Sequence, residues 1–598
     1  MNKIYLGLGA VVTVALVGCS GAANVAGSSS PSESSGGGPS KGAAGSNGSG
    51  DFIPAADAGM PFAPVVLPPE QEQNFDFLAP RAGARYVYVA NPTRDTVSII
   101  DSTNLAITEV TTGDTPTYLA TVVGQDVALV INVGAHTLSV LRGIAMDPVP
   151  VAVVPKANTI SIAPDGLHAV VWFDASQTGA TTTQTSTTTL TGSTQDVSVI
   201  TLSSAGDQAT SMTVGYQPSA VVFSSDGAAA FVVTDDGISS LRFAAITKPG
   251  IAPITHLTGS AVALVRSDAG APEAGTADGG GSSVDGGTPL DLGKDTIATT
   301  VPPGTGTPID VSVTPDGHYA IARRDGTAEL LLVDLTAPPN SAVTSILLSS
   351  PVTDLDMNPA GTQAFAVLRD ESKLVAIDLP DGFADIAHQT VWPLAGETIG
   401  SVTISASGKF AVLYTTALPI TSLVILNLQA GVADASRVVA VDVRKAIRAV
   451  AIAPDEQTAL VLHTKTAGSP TATGIDQATV LDRSFGYSVV RLADGVAKLQ
   501  LTSADPNPFA ITTHSEFAFV LLRDDTAGVR IAESIDLSSF QIADFALGSP
   551  PNSIAAMSSD TQVFVGQVHP EGRISFIDWT NGQVSSVTGF ALNGRIQQ

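Results

Sequence analysis

A repeated strand-and-turn pattern constrains this chain more than any other feature of its sequence. From about residue 74, a short apolar segment, a polar turn and a second apolar segment recur along the chain. The clearest unit is RYVYVANPTRDTVSIID (85–101), in which residues 86–90 and 96–100 flank a polar turn. Segments rich in Val, Ile, Tyr and Thr around such turns favour antiparallel β-hairpins.

The turn that precedes each unit carries the residues that a tight turn needs. Proline fixes φ, aspartate bonds its own backbone, and glycine accepts a positive φ. The turn recurs at Pro164-Asp165-Gly166, Ser225-Asp226-Gly227, Pro315-Asp316-Gly317, Pro359-Ala360-Gly361, Ser407-Gly408 and Pro454-Asp455-Glu456.

The spacing of the units predicts an all-β protein, a β-propeller of four-stranded blades. Where nothing is inserted, units follow one another roughly every 40 to 50 residues, which is the period of a propeller blade. A parallel β-solenoid would need a shorter period and no hairpins. We count ten units, or eight to ten blades if a unit is displaced, whose first strands begin near residues 86, 127, 169, 230, 319, 364, 410, 459, 517 and 563.

Ring closure can be predicted from the two ends of the repeat region. The last unit contains only three strand-like segments, at 562–568, 573–578 and 583–590, and segment 75–80 looks like a fourth strand with its turn. We therefore expect the N-terminal strand to close the last blade and so remove an exposed sheet edge.

The repeat resembles a known family. The segment Tyr88-Val89-Ala90-Asn91, the strand at 96–101 and the Pro-Asp-Gly turns are similar to YVTN-type β-propeller repeats, which are related to the propellers of lactonases and quinoprotein amine dehydrogenases. The resemblance implies a propeller over most of the chain after residue 74. It leaves the function open, because such repeats serve many roles.

The N-terminus predicts a lipoprotein. Lys3 precedes an apolar run at 4–17 that is too short for a membrane span, and the run ends in Leu16-Val17-Gly18-Cys19, which resembles a bacterial lipobox. The resemblance implies cleavage before Cys19 and attachment of acyl chains such as palmitate to it. The alternative is an ordinary secretory signal with a chance cysteine. Ser20 favours the outer membrane of the cell envelope, on either its periplasmic or its outer face.

These signals divide the chain into three parts. Residues 1–18 are a predicted signal peptide, 19–73 a flexible tether rich in Gly, Ser, Ala and Pro, and 74–598 the propeller. Insertions are expected near 177–194, 259–294 and 465–483, each leaving after the first or second strand of a unit as a surface loop.

Charge and cysteine content exclude several classes of function. The chain has 28 basic and 55 acidic side chains, a net charge of −27, which disfavours binding to nucleic acids and to anionic lipid. The single cysteine excludes an intramolecular disulfide, a cysteine-rich zinc site and a C-x-x-C-H haem attachment. We predict no metal, no cofactor and a monomeric propeller.

Two sets of polar residues could suggest chemistry. His168 and His318 both follow a Pro-Asp-Gly turn and could pair near one mouth of the channel, although a polar turn residue is the simpler interpretation. Aspartates also recur after the second strand of a unit, where they could form a ring of carboxylates or simply make Asx turns. They are Asp101, Asp334, Asp378, Asp536 and Asp578.

An Arg-Asp pair in the first hairpin turn is the most suggestive repetition. Equivalent turns of a propeller lie on one face, so these pairs could form a charged surface that contacts a partner; the alternative is a set of solvated ion pairs that contribute about 0–1 kcal/mol each. The candidate binding face consists of Arg94, Asp95, Arg324, Asp325, Arg369, Asp370, Arg523 and Asp524.

Three functional hypotheses follow. The first is a non-enzymatic binding or scaffolding propeller, anchored through Cys19, whose partner is an envelope protein or a polysaccharide. The second is a lactonase-like hydrolase with its site in the central channel, for which the sequence assigns no catalytic residue. The third, a redox subunit, has little support because the sequence carries no haem motif.

Overall fold

The computed structural model describes Glu70 and residues 82–145, 148–174, 194–252, 254–256, 309–324, 326–338, 342–557 and 561–589. Short β-rich segments separated by turns form antiparallel sheets throughout this part of the chain, because each strand has a mostly buried centre and polar ends. The described residues form ten sheets, arranged as a ten-bladed β-propeller.

Each blade is built from strands in chain order, from the innermost strand at the channel to the outermost strand at the rim. Blade 1 has three described strands, which correspond to the second, third and fourth strands of the other blades, and blade 3 has a fifth, β15, which pairs in parallel with β11. Blade 1 has β1 (Tyr86–Asn91), β2 (Thr96–Asp101) and β3 (Ile107–Thr111), and blade 2 has β4 (Pro116–Thr121), β5 (Val127–Asn132), β6 (Thr137–Arg142) and β7 (Val151–Ala152). Blade 3 has β8 (Thr159–Ile162), β9 (His168–Trp172), β10 (Asp196–Thr201), β11 (Gln208–Thr213) and the later β15 (Gly250–Ile251). Blade 4 has β12 (Ala220–Phe223), β13 (Ala229–Thr234), β14 (Gly237–Arg242) and β16 (Ile254–His256), and blade 5 has β17 (Ile309–Val313), β18 (Tyr319–Arg324), β19 (Glu329–Asp334) and β20 (Val343–Leu347).

Blades 6 to 10 have four strands each. Blade 6 has β21 (Asp354–Met357), β22 (Gln363–Leu368), β23 (Lys373–Asp378) and β24 (Gln389–Pro393), and blade 7 has β25 (Ser401–Ile404), β26 (Phe410–Tyr414), β27 (Ser422–Asn427) and β28 (Val438–Asp442). Blade 8 has β29 (Ile447–Ile452), β30 (Thr458–His463), β31 (Phe485–Arg491) and β32 (Ala497–Thr502), and blade 9 has β33 (Pro506–Ile511), β34 (Phe517–Asp524), β35 (Val529–Asp536) and β36 (Ile542–Ala546). Blade 10 has β37 (Pro551–Ala556), β38 (Gln562–Gln567), β39 (Arg573–Asp578) and β40 (Gln583–Thr588).

Helix is scarce. The described residues contain one α-helix, α1 (Gln477–Arg483), which lies in the third predicted insertion, and none of their helices is long and apolar enough to cross a membrane. Short 3-10 turns occur at Phe243–Ala245, Arg369–Glu371, Asp381–Phe383, Ile386–His388 and Ala435–Arg437.

The hydrophobic core is a ring of clusters, each shared by two adjacent blades. Phe231 and Ala320, for example, belong to a cluster between blades 4 and 5, and Phe519 and Trp579 belong to one between blades 9 and 10. Val87 of blade 1 packs in one cluster with Phe564 and Phe576 of blade 10. The ring is therefore closed by burial of apolar side chains between the first and last sheets, which is the main stabilising term available to a chain with one cysteine.

The predicted unit starts are confirmed, but the predicted closure is corrected. The ten predicted first strands are the second strands of the blades, so the sequence frame was offset by one strand. Blade 10 obtains its innermost strand from β37, which completes the sheet without the N-terminal segment. Segment 75–80 lies outside the described residues, and Ala82, just after it, forms a bridge with Val87 of blade 1.

Strand alternation gives the propeller two different faces. The turns from the first to the second and from the third to the fourth strand of each blade lie on one face, which we call the short-turn face. The turns from the second to the third strand, and the connections between blades, lie on the other, which we call the insertion face. Segments 177–194 and 465–483 fall between the second and third strands of their blades, whereas 259–294 follows β16, an outermost strand. The described strands on either side of the three segments end or begin at the insertion face. Segment 259–294 comes after the third strand of its predicted unit, which corrects the expectation that each insertion leaves after the first or second strand.

Candidate functional site

The turns of the short-turn face make many hydrogen bonds within themselves, and some also bond the turn of a neighbouring blade, as Asp455 N does with Ser515 Oγ at 2.9 Å. Gly166, Gly227 and Gly317 have φ values of 65°, 70° and 69°, as the Pro-Asp-Gly pattern requires. In the third-to-fourth turns of that face, Asp536 Oδ1 accepts hydrogen bonds from Ser538 N at 2.8 Å and from Ser538 Oγ at 2.7 Å. These bonds help to lower the pKa of Asp536, against the opposing effect of its partial burial.

The Asx-turn interpretation is observed at four of the five recurring aspartates. Asp101, Asp334 and Asp578 make the same Asp-x-Ser/Thr turn as Asp536. Asp378 instead accepts from Gln363 Nε2 at 2.8 Å. These hydrogen bonds of the five aspartates run within their turns or to a neighbouring strand, rather than around a shared ring of carboxylates.

The two turn histidines have local partners rather than each other. His168 Nδ1 lies 2.7 Å from Asp165 Oδ2 in its own turn, and its ring stacks on Phe243 with centroids 4.3 Å apart. His318 Nδ1 lies 3.1 Å from Asp316 Oδ2, also in its own turn. The two histidines belong to blades 3 and 5. Their contacts are those of polar turn residues.

The described residues of the four Arg-Asp pairs lie at the ends of the second strands or just after them, and their contacts differ from pair to pair. Asp95 Oδ1 accepts from Thr115 N at 2.9 Å, at the start of blade 2. Asp524 Oδ1 accepts from Thr526 N and Ala527 N, both at 2.9 Å, while Arg523 forms an ion pair with Asp525 at 2.6 Å.

The remaining members of that candidate face are also separate. Arg94 and Asp370 are exposed, and Asp325 lies outside the described residues. Arg324 is half-buried at the end of β18, and Arg369 binds Glu70 at 2.8 Å. The pairs occupy blades 1, 5, 6 and 9, so they share a face of the propeller without forming one continuous array.

A groove between blades 8 and 9 is the site with the most convergent chemistry. It has a volume of about 510 Å³ and opens to solvent between the outer strands of the two blades. Its lining combines an amide, hydroxyl groups, two carboxyl groups and aliphatic side chains. The lining residues are Gln500, Leu501, Thr502, Ser503, Leu522, Ile531, Glu533, Ile542 and Asp544.

Glu533 is the distinctive residue of this groove. It lies in the interior of β35, is only 2% exposed, and accepts a hydrogen bond from Tyr487 Oη at 3.1 Å across the interface between the blades. Burial raises the pKa of Glu533, and nearby Asp544 raises it further. Burial likewise raises the pKa of Tyr487, so the phenol keeps its proton and donates it in this hydrogen bond. Asp544 is the cross-strand partner of Glu533 and is exposed.

The sequence contains one signal for this site that the repeat pattern does not reveal. β35 reads VRIAESID, and Glu533 is an acidic residue in the buried centre of a propeller strand. A carboxyl group at such a position needs a partner, and Tyr487, 46 residues earlier, supplies it.

A second perturbed carboxyl group, Asp354, lies on an inner strand and is fully engaged in backbone hydrogen bonds. Its Oδ1 accepts from Leu355 N at 2.9 Å and its Oδ2 from Val402 N of blade 7 at 2.6 Å. Burial, together with Asp310, raises the pKa of Asp354 to about 8. Because Asp354 is 1% exposed and both oxygens have donors, its role in this geometry is to join two blades.

Known proteins are only distantly similar to this chain. No protein-family model matches the chain, and no curated protein matches it. Hydrazine synthase of Kuenenia stuttgartiensis is 13% identical, with a TM-score of 0.28 over 45% of this chain and 75% of that one. The dihydro-heme d1 dehydrogenase NirN is 11% identical, with a TM-score of 0.40 over 78% and 73%. The propeller domain of Cps50 (Swd1) from Myceliophteria thermophila is 11% identical, with a TM-score of 0.29 over 62% and 97%.

The residues that the structure describes give no indication of a metal centre. Among the described residues, no group of three or more His, Cys, Asp and Glu side chains is positioned to hold a metal ion. Cys19, the predicted lipidation site, lies outside the described residues.

Proposed function

We propose that this protein is a membrane-tethered binding module, in which a lipidated Cys19 anchors a ten-bladed propeller that contacts a partner in the cell envelope. The lipobox-like sequence around Cys19 and the YVTN-like repeats support the anchor and the placement in the envelope, with the outer membrane favoured by Ser20. The groove between blades 8 and 9 supports the binding role.

The chemistry of the groove favours a cationic segment of a partner protein. Glu533 and Asp544 place two carboxyl groups side by side, and Leu522, Ile531 and Ile542 supply apolar surface along which the stem of a Lys or Arg side chain can pack. A net charge of −27 would also attract a basic partner over long range. The single observation that carries the proposal is this open groove with a buried, protonatable carboxyl group in its wall.

Binding of a cation in the groove has a measurable signature. A positive charge beside Glu533 lowers its pKa, so binding releases protons over the pH range in which the free protein holds this group partly protonated. We expect isothermal titration of the mature chain with a pentalysine peptide to show a binding enthalpy that depends on the ionisation enthalpy of the buffer.

The matched controls separate the groove from general charge attraction. Glu533→Gln should abolish the buffer dependence, and Asp544→Asn should weaken binding by about tenfold, which corresponds to the loss of one charge-assisted hydrogen bond. Asp525→Asn, outside the groove, should leave the titration unchanged. Equal loss of binding in all three variants would mean nonspecific attraction and would refute the groove as the site.

The groove extends toward the charged turns that the sequence singled out. Leu522 lines the groove and is followed directly by Arg523 and Asp524, so a partner bound there would meet the blade 9 member of the candidate face. The other members, in blades 1, 5 and 6, would then serve as separate contacts on the same face.

The alternative of a hydrolase keeps one specific observation in its favour. A carboxyl group with a raised pKa beside a second carboxyl group is the pairing that glycoside hydrolases use, with one group as acid and the other as base or nucleophile. This pair lies between two blades rather than in the central channel. Turnover of an aryl-glycoside or lactone panel by the wild-type chain, lost in Glu533→Gln, would favour the enzyme over the binding module.

The anchor has its own test. Labelled palmitate fed to cells that express the full chain should be incorporated into the protein, and Cys19→Ser should abolish incorporation and release the protein from the membrane fraction. A Cys19→Ser protein that remains in that fraction would refute anchoring through this cysteine.

A further inference from the structure

Glu70 is the one described residue before position 82, and its side chain is almost completely enclosed. It binds between the second-to-third turns of blades 6 and 7, although it lies 299 residues from Arg369 and 345 from Thr415 in sequence. Its side chain is 2% exposed and that of Arg369 is 14% exposed. An ionised carboxylate is rarely buried to this extent unless the protein supplies a complete set of donors.

The two turns supply such a set. Glu70 Oε1 accepts from Arg369 Nη1 at 2.8 Å and from Thr415 Oγ1 at 2.9 Å. Glu70 Oε2 accepts from Thr416 N at 2.8 Å, from Thr416 Oγ1 at 2.9 Å and from Ala417 N at 3.2 Å. One guanidinium, two hydroxyls and two backbone N–H groups therefore converge on a single carboxylate, an arrangement that satisfies both its charge and its lone pairs.

The geometry of these donors is fixed by the blades rather than by Glu70. Thr415–Ala417 directly follow β26, and Arg369 directly follows β22. Gly400 N donates to Tyr414 O at 2.7 Å, and Thr353 Oγ1 donates to Gly400 O at 2.7 Å, so the floor beneath the carboxylate is held by both neighbouring blades. A Cβ atom at Gly400 would lie 2.0 Å from Glu70 Oε1, so the absence of a side chain there makes room for the carboxylate.

Without Glu70, the donors of this arrangement would lose their shared acceptor. Within the described part of the chain, Arg369 Nε is buried without a hydrogen-bond partner, and removal of Glu70 would leave the guanidinium without its carboxylate as well. A preformed set of donors around an uncompensated positive charge binds carboxylates with little cost of reorganisation.

We propose that Arg369, Thr415, Thr416 and Ala417 form a carboxylate-binding site on the insertion face, which Glu70 occupies from within the chain and thereby closes to acidic side chains of other proteins. This site is distinct from the groove between blades 8 and 9, and its charge preference is the opposite one. Covalent attachment gives Glu70 an effective concentration on the order of millimolar, so an external ligand binds well only when Glu70 is displaced or absent.

The test uses the full mature chain and a labelled peptide with the sequence of residues 67–73, LPPEQEQ, followed by fluorescence anisotropy. We expect Glu70→Gln to bind this peptide at least about tenfold more tightly than the wild-type chain, because the peptide no longer competes with a resident carboxylate. A peptide with Gln in place of both Glu residues should not bind, and adding Arg369→Ala to Glu70→Gln should abolish binding.

Matched variants keep the result unambiguous. Arg491→Ala removes an exposed arginine that pairs with Asp494 in blade 8, and in the Glu70→Gln background it should leave peptide binding unchanged. Glu70→Ala serves as a second vacated site, and thermal unfolding verifies that each variant is folded. Absence of peptide binding to both folded Glu70 variants, or equal binding of the Glu and Gln peptides, would overturn the proposal and leave Glu70 as a structural contact only.

Discussion

The two faces of the propeller are built by different kinds of contact. On the short-turn face, Asp536 and Asp578 bond backbone and hydroxyl groups two residues away, and the Pro-Asp-Gly turns combine such local bonds with a few to the turn of the next blade, as Asp455 N makes to Ser515 Oγ. Toward the insertion face, Glu70 and Asp354 bond groups in other parts of the chain, with Arg369 and Val402 as partners. The short-turn face also carries contacts between neighbouring blades, such as the ion pair between Arg142 and Asp207. The difference is that the carboxyl groups of Glu70 and Asp354, toward the insertion face, are almost fully buried in their long-range contacts.

Both faces bury polar groups, but those of the short-turn face are mainly small hydroxyl residues such as Ser405 and Thr512. The second strand of a blade ends at the insertion face, and its end often carries a buried polar residue: Asn91, Asn132, His463 and Gln567. Lys445, in the connection before blade 8, is 1% exposed and donates to Leu481 O of α1 in the third insertion. Buried polar groups need specific partners, so substitutions toward this face should have the larger effects.

The most severe loss of stability is expected on the insertion face, at Glu70. Glu70→Ala leaves Arg369 without its carboxylate in a mostly buried site, so we expect the free energy of unfolding to fall by about 3 to 4 kcal/mol. Urea unfolding measures the change. Gly400→Ala should destabilise the wild-type chain because the new Cβ atom would clash with the Glu70 carboxylate. The same substitution should destabilise a Glu70→Gly chain much less, because that chain has no carboxylate at this position. Equal effects of Gly400→Ala in both backgrounds would contradict the described contact.

An intermediate effect is a pH dependence from His463. This residue is 3% exposed, with Nε2 at 2.8 Å from Ser488 Oγ, and burial, with Lys445 and Arg448 nearby, lowers its pKa to about 4. The folded protein therefore keeps His463 neutral while the unfolded chain takes up a proton below about pH 6.5. Stability should fall as pH falls from about 6.5 to 4, by about 2 to 3 kcal/mol from this group.

The control for that prediction is His463→Gln, which can still bond Ser488 but does not titrate. Urea unfolding at pH 7 and at pH 4.5 should show a smaller difference for the variant than for the wild-type chain. If both chains lose the same stability between these two pH values, His463 is not buried in its neutral form.

A mild effect is expected on the short-turn face. Asp536→Ala removes the acceptor of hydrogen bonds from Ser538 and Ser539, and we expect a loss of about 1 kcal/mol in the free energy of unfolding. Asp536→Asn retains an acceptor and should recover most of that loss. A cost for Asp536→Ala as large as that for Glu70→Ala would remove the distinction between the two faces.

This division also explains what the sequence could predict. The ten units and the turns of the short-turn face were predictable, because each depends on residues that are neighbours in the chain, such as Asp316 and Gly317. The frame of the blades was offset by one strand, because an innermost strand such as β37 is equally plausible as the last strand of the preceding unit.

The sites were less predictable for the same reason. Glu70 falls in the segment that the sequence assigns to the tether, and nothing near it indicates Arg369 as its partner. Glu533 and Tyr487 come from different blades, so their pairing depends on the packing of two sheets. The Arg-Asp repetition predicts a shared binding face, and that stays a prediction. The contacts of the described residues, such as Arg369 with Glu70 and Arg523 with Asp525, are decided by their local surroundings.

The insertion side of the propeller, including the groove between blades 8 and 9, is the recognition surface in the proposed function. A partner is first selected from envelope extracts as a protein that the wild-type chain captures and the Glu533→Gln chain does not. Hydrogen exchange of the mature chain is then measured with and without this partner. We expect the partner to protect residues 500–503, 531–533 and 542–544, which line or adjoin the groove. Protection confined to the Pro-Asp-Gly turns, such as 164–166 and 315–317, would contradict the proposal.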